Sequence, residues 1–126
     1  CEINPDSISA LEKGLARNNV SEKCTIHHGD NRNTMDKLRG IADRVILGLI
    51  PSSMNAWGLA INCLKPDGGV IHVHMNVHED EIEEWVEKTT NWFETVSGKT
   101  AIALHLEKVK WYCPHIRHVV LDIHIS

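Results

Sequence analysis

Long hydrophobic runs are missing from this 126-residue sequence. The longest unbroken apolar stretch falls far short of the roughly 20 residues that cross a bilayer, so no transmembrane helix is expected, and no amphipathic basic segment suggests a membrane surface. Cysteine is sparse. Four, at positions 1, 24, 63 and 113, form no dense or evenly spaced framework, which fits a reducing, cytoplasmic compartment better than secretion. Basic charge is not in excess: 13 Lys and Arg face 17 Asp and Glu, a formal net charge of −4, so the chain as a whole lacks the electrostatic footprint of a nucleic-acid binder. There is no Gly-x-Ser-x-Gly elbow for a Ser/His/Asp hydrolase, no Walker loop, and no zinc-ribbon or zinc-finger spacing. An initiator Met, a signal peptide and a polar leader are also lacking; the start, Cys1-Glu2-Ile3-Asn4-Pro5, reads as the interior of a domain. What is present, 42% hydrophobic and 24% charged residues without repeats or low-complexity segments, is the composition of one globular domain.

Local signals give the order of elements. Asn4-Pro5-Asp6 starts a helix: Asn caps free amides, Pro tolerates the first helical position and Asp suits the positive end of the dipole. Ile8, Leu11 and Leu15 share a face, and Asn18-Asn19 ends the helix. Cys24 to His28 reads as a short strand, Gly29-Asp30-Asn31 as the loop after it, and Met35 to Leu38 as a short helix. The continuous apolar run Val45 to Ile50 predicts a strand buried on both faces, stopped by Pro51. Met54, Trp57, Ile61 and Leu64 repeat at helical spacing, Lys65 to Gly69 is a turn, and Val70 to Met75 is the next strand. From Glu79 to Val96, Ile82, Trp85, Val86, Thr89, Trp92, Phe93 and Val96 make one helical stripe with acids in the first turns, closed by Gly98. Ala101 to Val109 and Ile116 to Ile125 are two strands in succession, joined by Lys110 to His115, and therefore an antiparallel pair. The alternation specifies an α/β fold: a mostly parallel sheet with helices on both faces, finished by an antiparallel C-terminal edge strand.

Several residues carry chemistry or plain structure, and the sequence leaves both readings open. Glu2, where a strand end gives way to a helix, is placed either to accept hydrogen bonds from both hydroxyls of a ribose or to sit solvated. Asp30 suits the exocyclic amine of an adenine or an ordinary turn. Together with Glu2 at the neighbouring strand end it favours a nucleoside pocket. Leu49 to Ser53 lies at the carboxyl end of the buried strand, the crevice where open α/β sheets bind ligands, while Ser52 and Ser53 are also natural helix caps. Asp43 more simply pairs with a nearby base. His74 and Asn76 sit at a strand end facing the crevice. Cys24 with His27 and His28, His72 and His74 with His78, and Cys113 with His115 are the ligand groups a metal would need, but none has a zinc spacing, and no metal is expected. Trp85 and Trp92 read as core, and the acids from Glu79 to Glu84 as a solvated helix start. RNA contact would fall to local groups such as Arg32, Lys37, Arg39, Lys108, Lys110 and Arg117.

Glu2-Ile3-Asn4-Pro5, Gly29-Asp30-Asn31, Asp43 to Ser53 with its Leu-Gly-Leu-Ile-Pro-Ser-Ser, and Gly68-Gly69-Val70-Ile71-His72-Val73-His74 resemble the catalytic half of the tRNA wybutosine-synthesising aminocarboxypropyltransferases. The resemblance runs over nearly the whole chain. It implies that residues 1–126 are the C-terminal part of a class I S-adenosylmethionine methyltransferase-like Rossmann domain, without its first strand and glycine-rich loop. It further implies transfer of the aminocarboxypropyl group from S-adenosylmethionine to the tricyclic base beside the anticodon of phenylalanine tRNA, with methylthioadenosine as side product. Matched by position, Glu2 would hold the ribose, with Asn4 beside it. Asp30 and Asn31 would hold the adenine, and Gly48, Leu49, Pro51 and Ser52 would border the sulfonium and the incoming base. The related tRNA guanosine-N1 methyltransferases carry Asn-Leu-Pro in that loop, where this chain has Gly48 and a Pro one residue later; that reading, and a non-catalytic binding module, are the alternatives. A sheet short of its central strand leaves edges unpaired, so the chain alone is expected to associate, to bind S-adenosylmethionine poorly and to have little activity.

Overall fold

The computed structural model describes residues Cys1–Ser126, which divide into two compact units, residues 1–38 and 39–126. No helix is long and apolar enough to cross a membrane.

In the first unit, helix α1 (Pro5–Arg17) forms as its caps require: the Asn4 side-chain oxygen accepts from the Asp6 N–H at 2.9 Å, and Asn18 and Asn19 close the other end, Asn19 with φ of 55°. Ile8 is its buried residue; Leu11 is largely exposed. Cys24 to His28 does not form the expected strand. Its ladder is a single parallel bridge between Glu2 and His28, in which the Glu2 N–H donates to the His27 carbonyl and the Gly29 N–H to the Glu2 carbonyl. The pairing stops at one bridge because the chain turns into α1 at its Asn4 cap, two residues after Glu2. Helix α2 (Asn31–Thr34) begins four residues before the expected Met35, because the Asp30 carboxylate caps it by accepting from the Arg32 N–H at 2.8 Å; Met35–Leu38 continues as a 3₁₀ turn.

The second unit is a four-stranded sheet with two helices: β1 (Arg44–Leu47), α3 (Trp57–Cys63), β2 (Gly69–His78), α4 (Ile82–Ser97), β3 (Ala101–Cys113) and β4 (Ile116–Ile125), in spatial order β1-β2-β4-β3. Three expectations need correction. The sheet is mixed rather than mostly parallel, since only β1 and β2 run parallel while β4 is antiparallel to both its neighbours. The last strand is interior and β3 is the edge, because β4 folds back between β2 and β3; Val119, Leu121, Ile123 and Ile125 of β4 are at most 1% exposed, whereas β3 is exposed along nearly all its length. And β1 stops at Leu47 and is an edge strand of this sheet, with Ile46 71% exposed, so its apolar run is not buried on both faces here.

The core lies on one face of this sheet. Cross-strand pairs Ile71–Ile123, Val73–Leu121 and Met75–Val119 meet Trp57, Ala60, Ile82, Thr89 and Phe93 from α3 and α4, with Trp57 5.2 Å from both Trp92 and Phe93. Both helices of the unit thus serve one face rather than two. The opposite face carries the alternate residues His72, His74, Asn76, His118 and Asp122, all half-buried. Gly68 and Gly69 permit the turn before β2: a Cβ at Gly68 would stand 1.9 Å from the Ile125 carbonyl oxygen, and one at Gly69 2.4 Å from that of Asp43.

Candidate functional site

In the first unit two carboxylates stand at adjacent chain ends joined by the Glu2–His28 bridge. Glu2 is half-buried, and its Oε1 accepts from the Asn4 N–H at 2.8 Å at the start of α1. Asn4 spends its side-chain oxygen on the helix cap. Asp30 takes the Arg32 backbone N–H and both of its own oxygens meet the Arg32 guanidinium, a forked ion pair that pulls the Asp30 carboxyl down to about 2. Asn31, half-buried, is the first residue of α2. Glu2 and Asp30 are therefore brought close by pairing that sequence reasoning had placed in a longer strand.

In the second unit the residues after β1 leave the sheet, and the Ile50–Pro51 peptide is cis. The segment is tied down on β2: the Pro51 carbonyl accepts from the Asn76 N–H at 3.0 Å, and Ser52 bridges Met75. The two serines divide their work. Ser52 Oγ accepts from the Met54 N–H at 3.3 Å, the capping role, while Ser53 is 1% exposed and its Oγ donates to the His74 carbonyl and accepts from the Trp57 indole N–H at 3.0 Å. Above these anchors Gly48, Leu49 and Pro51 are exposed, Leu49 by 65%, and nothing stands within 4 Å of where a Gly48 Cβ would be. The loop is thus anchored at its end and open at its crest.

The histidines form pairs rather than a ligand cage. His72 lies between Asp122, 2.6 Å from its Nδ1, and the Arg44 guanidinium, 3.2 Å from its Nε2. His74 Nδ1 meets His118 Nε2 at 3.0 Å, and burial, then the neighbouring His118 and His72, push His74 below the usual histidine range. The Asn76 side chain is buried without a hydrogen-bond partner. Asp43 pairs with Lys65 at 2.6 Å, as its sequence position suggested. No group of three or more His, Cys, Asp or Glu converges on a metal-sized point. Sequence reasoning missed the far end of β3: the strand continues through Lys110, Trp111 and Tyr112 to Cys113, with register shifts that follow the bulges, and only Pro114-His115 turns the chain. The alternation of Lys108, Val109, Lys110 and Trp111 was the available signal.

Residues 1–105 match the TRM5/TYW2 methyltransferase domain. A "tRNA wybutosine-synthesizing protein 2/3/4" of Arabidopsis thaliana is 47% identical over 98% of this chain, which covers 13% of that relative. Two solved structures are similar at 98% coverage: M. jannaschii TYW2 in complex with AdoMet, 28% identical with a TM-score of 0.84, and P. horikoshii TYW2 in complex with MeSAdo, 27% identical with a TM-score of 0.87. This chain spans 55% and 46% of those two proteins. The likeness bears out the expected α/β methyltransferase-like fold. With its first 105 residues matched by the domain, and a wybutosine-synthesising relative aligned along almost its whole length, this chain belongs to the TRM5/TYW2 methyltransferase family.

Proposed function

We propose that this chain is part of a cytoplasmic enzyme that transfers the 3-amino-3-carboxypropyl group of S-adenosylmethionine to the tricyclic wybutosine-precursor base beside the anticodon of phenylalanine tRNA, releasing methylthioadenosine. The observation that carries the reading is the Gly48–Ser53 segment, anchored through Ser53 and the Asn76 N–H while Gly48, Leu49 and Pro51 stay exposed. Support comes also from the wybutosine-synthesising relative, and from the MeSAdo in the P. horikoshii protein, the methylthio nucleoside that such a transfer leaves behind.

The residues fit the donor. Glu2 has one oxygen engaged by Asn4, which leaves Oε2 for ribose hydroxyls. Asp30, kept ionised by Arg32, is in the state that accepts a hydrogen bond from an adenine amine, with Asn31 next to it. By the family resemblance, Gly48, Leu49, Pro51 and Ser52 of the second unit would border the sulfonium and the acceptor base. Bound S-adenosylmethionine supplies three electrophilic carbons, and the one held in line with the nucleophile at about 3 to 3.5 Å reacts. In this transfer the base forms a bond to the γ-carbon of the methionine chain, the sulfur keeps the electron pair of the broken S–C bond, and the base gives up a proton. Gly48 offers no side-chain amide of the kind the guanosine-N1 methyltransferases carry there.

The test is incorporation of label into precursor-containing tRNA by the N-terminally extended protein, from S-adenosylmethionine labelled separately in its methyl and carboxyl carbons. Carboxyl label in the tRNA, with release of methylthioadenosine, is the expected result. Methyl label would make the protein a tRNA methyltransferase, and neither label a binding module without catalysis.

A further inference from the structure

We infer that the tip of the β3–β4 hairpin is an RNA-contacting surface, a stacking cleft for an unpaired base of the same RNA whose reacting nucleotide is held at the Gly48–Ser53 loop. The inference rests on the proposed tRNA substrate and names where, on this chain, that RNA is gripped.

Charge singles out the hairpin first. Between Lys108 and His118 the sequence has Lys108, Lys110 and Arg117, two histidines and no acid, in a chain whose net charge is −4. Aromatic placement singles it out again. Trp57 and Phe93 are buried and Trp85 and Trp92 are half-covered on α4, whereas the adjacent Trp111 and Tyr112 are 48% and 56% exposed. Trp111 shares its face of the hairpin with Arg117 and Lys108, while Lys110 sits on the other face, and a solvent-facing ring among cations is the pattern by which proteins hold single-stranded nucleic acid: the ring stacks on a base, and the cations track the phosphates.

The local geometry is ordered. The Arg117 guanidinium carbon lies 3.7 Å over the Trp111 ring, fixing the indole by cation–π contact before any ligand arrives. A shallow, open cleft of about 470 Å³ lies beside it, lined by Glu79, Trp111, Cys113, Pro114 and His115. Its far wall is rigid: the Glu79 N–H donates to the His115 carbonyl at 2.8 Å, the Glu79 carboxylate pairs with His115 Nδ1 at 2.7 Å, and His78 stacks on His115. Glu79 is the one acid in the cleft, and a carboxylate so placed accepts from a base's exocyclic amine.

Topology puts the cleft on the side of the reacting loop. β3 and β2 are both antiparallel to β4, and β1 is parallel to β2, so β1, β2 and β3 all end at the same edge of the sheet. Ser52 is level with Met75 and the hairpin with His78, three residues or roughly 10 Å further on; three strand spacings, roughly 14 Å, separate β1 from β3. A few unpaired nucleotides bridge that distance.

Fluorescence anisotropy of a fluorescein-labelled single-stranded RNA decamer, titrated with the whole chain in low salt and without S-adenosylmethionine, tests the surface. Trp111→Ala should weaken binding roughly 5- to 100-fold, and Trp111→Phe, which keeps a stacking ring, far less. The double variant Lys108→Gln, Lys110→Gln should flatten the slope of log affinity against log salt by about 1.4, since each phosphate contact on a single strand contributes about 0.7. Lys88→Gln on α4 should leave both unchanged. Should Trp111→Ala fold poorly by circular dichroism, Trp111→Leu keeps the apolar side chain and removes only the ring. No binding by the parent chain, or undiminished binding by Trp111→Ala or Trp111→Leu, overturns the inference. Because no group transfer is read, a wrong donor chemistry leaves this result standing, while intact carboxyl-label transfer with no hairpin dependence refutes the hairpin alone.

Discussion

Replacing Ser53 by Ala isolates the strut under the candidate loop. The hydroxyl is 1% exposed and makes two hydrogen bonds, to the His74 carbonyl at 3.2 Å and from the Trp57 indole at 3.0 Å. Its removal strands the indole N–H of a residue that is itself only 3% exposed, and a buried donor left without a partner costs about 1–3 kcal/mol. The His74 carbonyl loses the hydroxyl that donates to it, a smaller effect, so about 2 kcal/mol is the expected loss. For a chain of this size that is a fall in Tm of roughly 6–12 °C, and a fall in urea midpoint without change of slope. Pairing the change with Trp57→Phe gives a double-mutant cycle. Trp57→Phe alone loses packing against Trp92 and Phe93, but once the indole N–H is gone the serine has less to lose, so the cycle should show a coupling of about 1 kcal/mol or more. A Ser53→Ala midpoint unchanged within error, or strictly additive effects, would refute the strut.

Gly68→Ala should cost more than about 3 kcal/mol, since its φ of 101° disfavours any Cβ and the Ile125 carbonyl stands 1.9 Å from where one would lie; equilibrium denaturation of a chain that still folds within 1 kcal/mol would contradict the close approach. His74 is held below its unfolded value of 6.5, so the unfolded chain takes up this proton first: the contribution is complete above that value and declines as pH falls through it, and His74→Gln should remove that part of the pH dependence of Tm. Asp30, near 2 beside Arg32, contributes above its unfolded value of 3.8 and loses that contribution as pH falls through about 2; Arg32→Ala should return its carboxyl resonance in an NMR titration toward 3.8, and an unmoved titration would show that the ion pair is not what holds it. Ile46→Lys, on the exposed edge strand β1, should reduce the association expected of the chain alone, read as a smaller sedimentation coefficient at high concentration.

How much of this was legible along the chain depended on how far each feature reaches. The helices at Asn4 and Ile82 were readable because caps, dipole-matched acids and a 3.6-residue stripe are written within one element. The loop at Leu49 to Ser53 was readable as a site because it follows a strand end. The two serines inside it were not told apart, since Ser53 owes its burial to Trp57 and to a carbonyl 21 residues away, which no local pattern encodes. Sheet order failed for the same reason. Ile102, Leu104 and Leu106 make β3 look like an interior strand, and only the pairing of Val119 to Ile125 with β2 shows that β4 takes the inner place. Once β4 is inside, β3 becomes a long exposed edge that must resist adding another strand, and it does so with bulges at Ala103/His105, Lys108/Lys110 and Trp111/Cys113 and with lysines along its outer half. Those same lysines precede Trp111, with Lys108 on its face. The devices that keep this edge from pairing with another chain therefore leave cations and an aromatic face on the side of the sheet where β1 and β2 end, so protection from aggregation and an RNA grip call for the same residues there.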